Sequence, residues 1–350
     1  MQYRRAAVGL TIAIGLLALL VYGVGWEEVL STLREANPLF VAGAFLTGGS
    51  ILIFRAAVIN QLLNPLTGRV TGRSFVVTFL SGYFARSALP WGRSTGSPIM
   101  AYLFAKNSDS EFEQNLAVVA LAELLVFLGS VVVAFVGVIT YFGLEEDHGL
   151  LAELLGETLS DTNAGLTGLG ILIGLTLLAG AIFVTREPGT TRAAVIAGAA
   201  RADSVLGRLP RVTSPDPLSS RLEGFLSTLE TVSAARRTLF VALGIGICSW
   251  LINVFPLYFA FLALGVDGSL ALALFCAPVA TLGGILPLPG GTGGIETVLI
   301  VLLITLLGVP ADMATAVTLL YRVSTYWLHL TLGGVGALVL SLGGDDPLTM

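Results

Sequence analysis

Charge is scarce in this chain. Asp, Glu, Lys and Arg make up 12% of its 350 residues, about half their share in a soluble globular domain, and the one lysine is Lys106. So few charges cannot hydrate a molecule of this size. Hydrophobic residues reach 55% and the mean hydropathy is +0.88, which points to an integral membrane protein. Cysteine is nearly absent: Cys248 and Cys276 both lie in apolar runs, which argues against a disulfide framework or a cysteine-built metal site. The two histidines, His148 in an acidic loop and His329 near the end of the last apolar run, share no ligand spacing. No metal or other cofactor is therefore expected. With no basic tail and no recognition motif, nucleic acid is not an expected partner.

Long apolar runs, by contrast, are plentiful. Residues 6–24, 39–63, 116–142, 165–185, 238–264 and 311–341 each approach or exceed the ~20 residues that carry a helix across ~30 Å of hydrocarbon. The first follows Arg4 and Arg5 and is too long for an ordinary signal segment, so it reads as a retained span. Two further apolar stretches, about 75–105 and 268–308, are broken by proline and glycine. The second contains ILPLPGGTGGIE, in which two prolines and four glycines interrupt a membrane-depth segment.

Orientation follows from arginine. Segment 186–237 holds Arg186, Arg192, Arg201, Arg208, Arg211, Arg221, Arg236 and Arg237, whereas 143–164 holds acids and no Arg or Lys. The positive-inside rule makes the first cytoplasmic and the second external. Both termini are then cytoplasmic, in a multi-pass protein of the cell membrane. The count closes only if 75–105 enters and leaves on the cytoplasmic side and 268–308 on the external side. Linker 186–237 has apolar residues at helical spacing beside its arginines, and reads equally as interfacial helices or as a solvated connector.

The two broken stretches match. Each carries Leu-Pro followed by Gly and Thr; from residue 39 to Leu89 is 50 residues, and from 238 to Leu286 is 48. Segments 39–142 and 238–341 therefore read as inverted repeats within one transmembrane domain, 1–350. The expected fold is all-α and polytopic, with about six full spans plus two broken re-entrant hairpins. Broken helices at matching places in inverted halves mark a transport site, because backbone freed by Pro and Gly survives at membrane depth only inside protein or beside a polar cavity.

Charges fall in the same segments. Arg55, Arg86, Arg93, Glu123, Glu296 and Arg322 lie in or at the ends of the apolar runs, where each costs roughly 2.5–3.5 kcal/mol unless paired or hydrated. Pairing Glu296 with Arg322, or Glu123 with Arg93, would relieve that cost. Arg55, near the end of its span, reads as a snorkelling side chain. Arginines beside broken-helix N-termini favour an anionic group such as phosphate. The glycine run itself is no nucleotide loop, since Gly294 is followed by Ile295 and Glu296 where a P-loop needs Lys and Ser or Thr.

At these residues the chain resembles the lysylphosphatidylglycerol synthase transmembrane family, also called flippase-like or UPF0104 proteins. SGYFARSALPWGRSTGSPIMAYLFAKN is similar to its first signature, LPLPGGTGGIE to its second and LYRVSTYWLHLTLGG to its final helix. The resemblance covers about residues 5–342 and implies site roles for Pro90, Gly92, Arg93, Gly96, Pro289, Gly290, Gly291, Gly293, Glu296 and Arg322. The sequence departs from the family at Ser97, where many relatives carry an acid. What the family implies is movement of a modified phospholipid or a polyprenyl-linked carrier between leaflets. In the synthases proper a separate soluble domain makes the aminoacyl lipid. The few residues after the last span here cannot be that domain, so synthesis is not expected.

The leading expectation is thus a non-enzymatic lipid flippase whose substrate-binding residues are those ten and Arg86, with Glu123 as a charge partner. Its partners would be a membrane phospholipid or a polyprenyl-phosphate lipid. An accessory subunit that positions a lipid-modifying enzyme is an alternative. A membrane-embedded lipid-phosphate transferase is another, but it would need an acid/base or metal cluster that the sequence does not display.

Overall fold

The structure is a computed structural model that describes residues 31–89, 92–144, 218–285 and 288–342. Ten α-helices run through them in chain order: α1 Pro38–Leu63, α2 Gly72–Ala88, α3 Gly92–Lys106, α4 Phe112–Leu144, α5 Leu218–Ala234, α6 Arg236–Ala263, α7 Leu270–Ala280, α8 Gly294–Leu307, α9 Ala311–Arg322 and α10 Leu328–Leu342. No strand occurs among the described residues. The protein is an all-helical membrane protein, with five described helical stretches long and apolar enough to cross a bilayer.

Local chemistry sets the boundaries. Asn37 caps α1 by accepting the Leu39 N–H at 3.0 Å, with Pro38 in the first turn. Ser269 caps α7 through the Leu272 N–H at 3.1 Å. α2 stops at Leu89, which turns extended (φ −94°, ψ 147°) immediately before Pro90. Gly308, in the left-handed region at φ 65°, ends α8. The outward faces are apolar: Leu39, Leu46 and Ile53, seven residues apart on α1, are 70–75% exposed. That stripe has nowhere stable to sit except in hydrocarbon.

α1 and α6 make the most extensive helix pair, and they run antiparallel, since the Asn37 N–H donates to the Ala263 carbonyl at 2.8 Å. Around them α2 packs on α10 and α7 packs on α4. Small residues let these helices approach: a Cβ at Gly333 or Gly336 would press on α2 at Leu80 and Phe84, and one at Gly137 on the α7 backbone at Leu274 and Phe275. Close contact through glycine replaces the hydrophobic driving force that lipid removes.

Both broken stretches fold as hairpins that return to the end they left. The Asp109 N–H after α3 donates to the Gly68 carbonyl before α2 at 3.0 Å. In the second, Ala316, halfway along α9, packs with Leu33 and Leu264, beside the chain's entry to α7. The limbs are unequal, however: α2 and α3 have 17 and 15 residues, whereas Pro289–Leu307 is 19 residues and apolar enough to cross. Of the expected spans, 39–63, 116–142, 238–264 and 311–341 correspond to α1, α4, α6 and α9–α10. Spans 6–24 and 165–185 and most of linker 186–237 lie outside the described residues. The described part of that linker is α5, docked on the start of α4, where Arg221 Nε lies 3.7 Å from a Glu113 oxygen.

Candidate functional site

The second hairpin turns on glycine. Pro289–Gly291 form one 3₁₀ turn, and Gly290, Gly291 and Gly293 all have positive φ (59°, 67° and 89°), a region costly for any residue with a Cβ. A Cβ at Gly290 would also fall on the Tyr326 ring. The turn delivers the N-terminus of α8 to Glu296, whose Oε2 accepts the Gly293 N–H at 2.7 Å. A carboxylate there satisfies an orphan donor and faces the positive end of the helix dipole.

Arg322 completes this centre. Its Nε donates to Glu296 Oε1 at 2.6 Å and its Nη2 to the Gly290 carbonyl at 3.0 Å, while the guanidinium lies 4.6 Å from the Tyr326 ring centroid. Glu296 is 0% and Arg322 6% exposed. Both carboxylate oxygens are engaged and the pair is neutral, so this is a closed clamp that fixes the broken helix to α9. A π-helical turn, Val323–Trp327, follows Arg322 directly, as such turns often do at functional sites. It sets the Ser324 backbone against Gly48 of α1, where no Cβ would fit. Tyr326, next in that turn, donates its hydroxyl to the Ser87 carbonyl of α2 at 3.2 Å. The clamp of one hairpin thereby touches the other.

Ser87 adjoins Arg86, the centre of a second charged group. Arg86 grips Glu123 of α4 by two parallel bonds, Nη1 to Oε1 at 2.8 Å and Nη2 to Oε2 at 2.9 Å, the bidentate geometry that makes arginine–carboxylate pairs strong. The Tyr83 ring lies 5.3 Å from the guanidinium. Gly96 lets α3 close on this point, since a Cβ there would meet the Arg86 backbone. Arg86 and Glu123 line a cavity of about 430 Å³ with Arg55 of α1, Ser97 of α3 and Trp250 of α6. Leu124 and Phe127, each more than a third exposed, form its apolar rim.

The expected site residues therefore divide. Glu296, Arg322, Pro289, Gly290, Gly291 and Gly293 form the clamp, while Arg86, Glu123 and Gly96 belong to the cavity. Gly92 begins α3. Pro90 and the Arg93 side chain lie outside the described residues. Glu123 is held by Arg86, which α2 presents across to α4; the expected Glu123–Arg93 pair falls on a side chain outside the described residues. One expectation changes. Arg55 does not snorkel: its guanidinium lies 5.7 Å over the Trp250 ring and lines the cavity, because pairing with α6 turns that face of α1 inward. Tyr326 belongs to the aromatic pair beside Arg322 in the final-helix stretch LYRVSTYWLHLTLGG, whereas Trp250 went unnoticed in sequence; only its position on a span opposite Arg55 could have drawn attention to it. His329 is a packing residue, its Nε2 2.7 Å from the Gly48 carbonyl and its ring edge-on to Tyr83.

The sequence is similar to those of other membrane proteins. A UPF0104 membrane protein of Methanothermobacter thermautotrophicus is 24% identical over 333 residues, covering 94% of both chains. The Glycosyltransferase AglD of Haloferax volcanii is 26% identical over 353 residues, covering 95% of this chain but 53% of that protein. The family described as Lysylphosphatidylglycerol synthase TM region matches residues 6–333. By that match, which takes in both hairpins and the clamp, the chain belongs to the lysylphosphatidylglycerol synthase transmembrane family.

Proposed function

We propose that this protein is a flippase-like transporter that moves an anionic phospholipid or a polyprenyl-phosphate-linked lipid between leaflets, without catalysing a covalent step. The observation that carries this reading is the Arg55–Arg86–Glu123 cavity. It places two arginines and one glutamate among membrane-crossing helices, behind an apolar rim at Leu124 and Phe127. A headgroup would enter the charged space while its chains stay along the rim in hydrocarbon. Intramembrane ionisable groups facing a cavity are costly, and substrate passage is their usual purpose.

In this reading 39–142 and 238–341 act as inverted repeats about the α1–α6 pair, a reading supported by the matched packing of α2 on α10 and α7 on α4. Substrate access would alternate as the clamped second hairpin and the first hairpin shift against each other through Tyr326 and Ser87. The basic end of the bundle, with Arg69, Arg73, Lys106, Arg221, Arg236 and Arg237, would face the cytoplasm of a cell membrane.

Leaflet exchange of fluorescent phospholipids and polyprenyl-phosphate analogues in liposomes holding the purified protein tests the proposal. Exchange above that of empty liposomes, lost in Arg86→Ala, is the expected result. Folded wild type that exchanges neither lipid would refute it. The match to about half of a protein named a glycosyltransferase favours, as a second reading, a membrane subunit that positions a lipid-modifying enzyme. Absence of exchange together with stable capture of such an enzyme would select it.

A further inference from the structure

Two groups in the cavity wall have no counterpart among the described residues. Arg55 Nε and Trp250 Nε1 are both buried, and neither has a hydrogen-bond acceptor among the described residues. They stand together, the guanidinium over the indole at 5.7 Å, and both side chains line the same cavity. A buried donor left unpaired is costly and rare. What this place lacks is an acceptor. Arg86, across the cavity, already has two from Glu123.

The charge of the wall narrows the ligand. The charged groups facing the cavity among the described residues are Arg55 from α1, Arg86 from α2 and Glu123 from α4, while α3 offers Ser97 and α6 Trp250. Among the described residues, two positive charges against one negative leave a single uncompensated positive charge, carried by Arg55. A ligand with several oxygens and one negative charge would satisfy both donors and neutralise the wall. A dianion would leave a surplus charge buried at membrane depth.

We infer that Arg55 and Trp250 form the seat of a phosphodiester monoanion, with the Arg86–Glu123 pair as a neutral wall beside it. This rests on the reading of the cavity as a lipid site. Arginine stacked on an aromatic face still presents its edge donors to oxygens, and the indole N–H adds a neutral donor. The chemistry is shared by glycerophospholipid headgroups and by sugar phosphodiesters of polyprenols. It disfavours phosphomonoesters: with a second pKa of about 6, a monoester must take up a proton to match the seat, at about a ten-fold loss of affinity at pH 7 and a hundred-fold loss at pH 8.

The test is competition binding to the full chain in dodecyl maltoside, free of phospholipid, with fluorescent short-chain phosphatidylglycerol as the probe. Competitors are dihexanoyl phosphatidylglycerol, dihexanoyl phosphatidic acid, dihexanoylglycerol, farnesyl phosphate and farnesyl phosphoglucose. Both diesters should outcompete their monoesters about ten-fold at pH 7 and more at pH 8, and the tighter diester identifies the lipid source. Arg55→Gln should lose at least about ten-fold in diester affinity, and Trp250→Phe, which keeps a ring under Arg55, roughly two- to ten-fold. Monoesters binding as tightly as diesters at pH 8, in wild type, would overturn the inference without any variant. So would an Arg55→Gln protein with undiminished diester affinity. Diester binding without leaflet exchange upholds the seat and ends the transport reading. Exchange that persists in Arg55→Gln ends the seat and leaves transport standing.

Discussion

Replacing Glu296 with Gln should destabilise the protein more than its near-identical shape implies. The carboxylate is fully buried, and its two oxygens accept from two different donors, the Gly293 N–H at 2.7 Å and Arg322 Nε at 2.6 Å. A glutamine has one acceptor oxygen, so its NH₂ must face whichever donor remains. Arg322 also loses the only counter-charge it has among the described ion pairs. Breaking a buried pair from one side costs about 3–5 kcal/mol, and that is the loss expected here. Glu296→Met with Arg322→Met removes both charges at similar volume, and should cost less than the two single changes together by about 2 kcal/mol. The assay is reversible unfolding by SDS in mixed micelles, read by far-ultraviolet circular dichroism. A Glu296→Gln loss below about 1 kcal/mol, or strict additivity in the double variant, would refute the clamp.

The same assay checks two smaller effects. Gly290→Ala places a Cβ at φ 59° and into the Tyr326 ring, so it should cost more than the ~1–2 kcal/mol of the backbone conformation alone; a neutral result would mean the turn is not built as described. Tyr326→Phe removes the bond to the Ser87 carbonyl and should cost about 0.5–1.5 kcal/mol, with no change if the hairpins are not joined there. Single cysteines at Asp109 and Ala311, in a background lacking Cys248 and Cys276, should label with membrane-impermeant maleimide from opposite sides of the bilayer. Labelling of both from one side would overturn the proposed topology.

Much of this was legible in the sequence because it depends on neighbours along the chain. Apolar runs of span length at 39–63 and 238–264 could only become membrane helices. PGGTGG could only become a turn that uses positive φ, and a glutamate three residues into the next helix could only cap it. Even the Glu296–Arg322 pair follows from cost, since Arg322 needs an acid at its own depth and few exist.

Tertiary structure decided the rest. Nothing local names Arg86 as a partner of Glu123; the facing of α2 against α4 brings the two together. Nothing local turns Arg55 inward; its place near a span end argued for the interface, and the antiparallel fit of α1 on α6 sets Trp250 beneath it. The π-turn after Arg322 has no proline or glycine to announce it, and shows only as Ser324 meeting Gly48 and Tyr326 reaching Ser87. Hydrophobicity and backbone conformation are settled within a few residues, so the sequence alone determined the spans and the breaks. Which charges meet, and which one is left facing the cavity, depends on the rotation and register of helices far apart in the chain, and only the packed bundle fixes those.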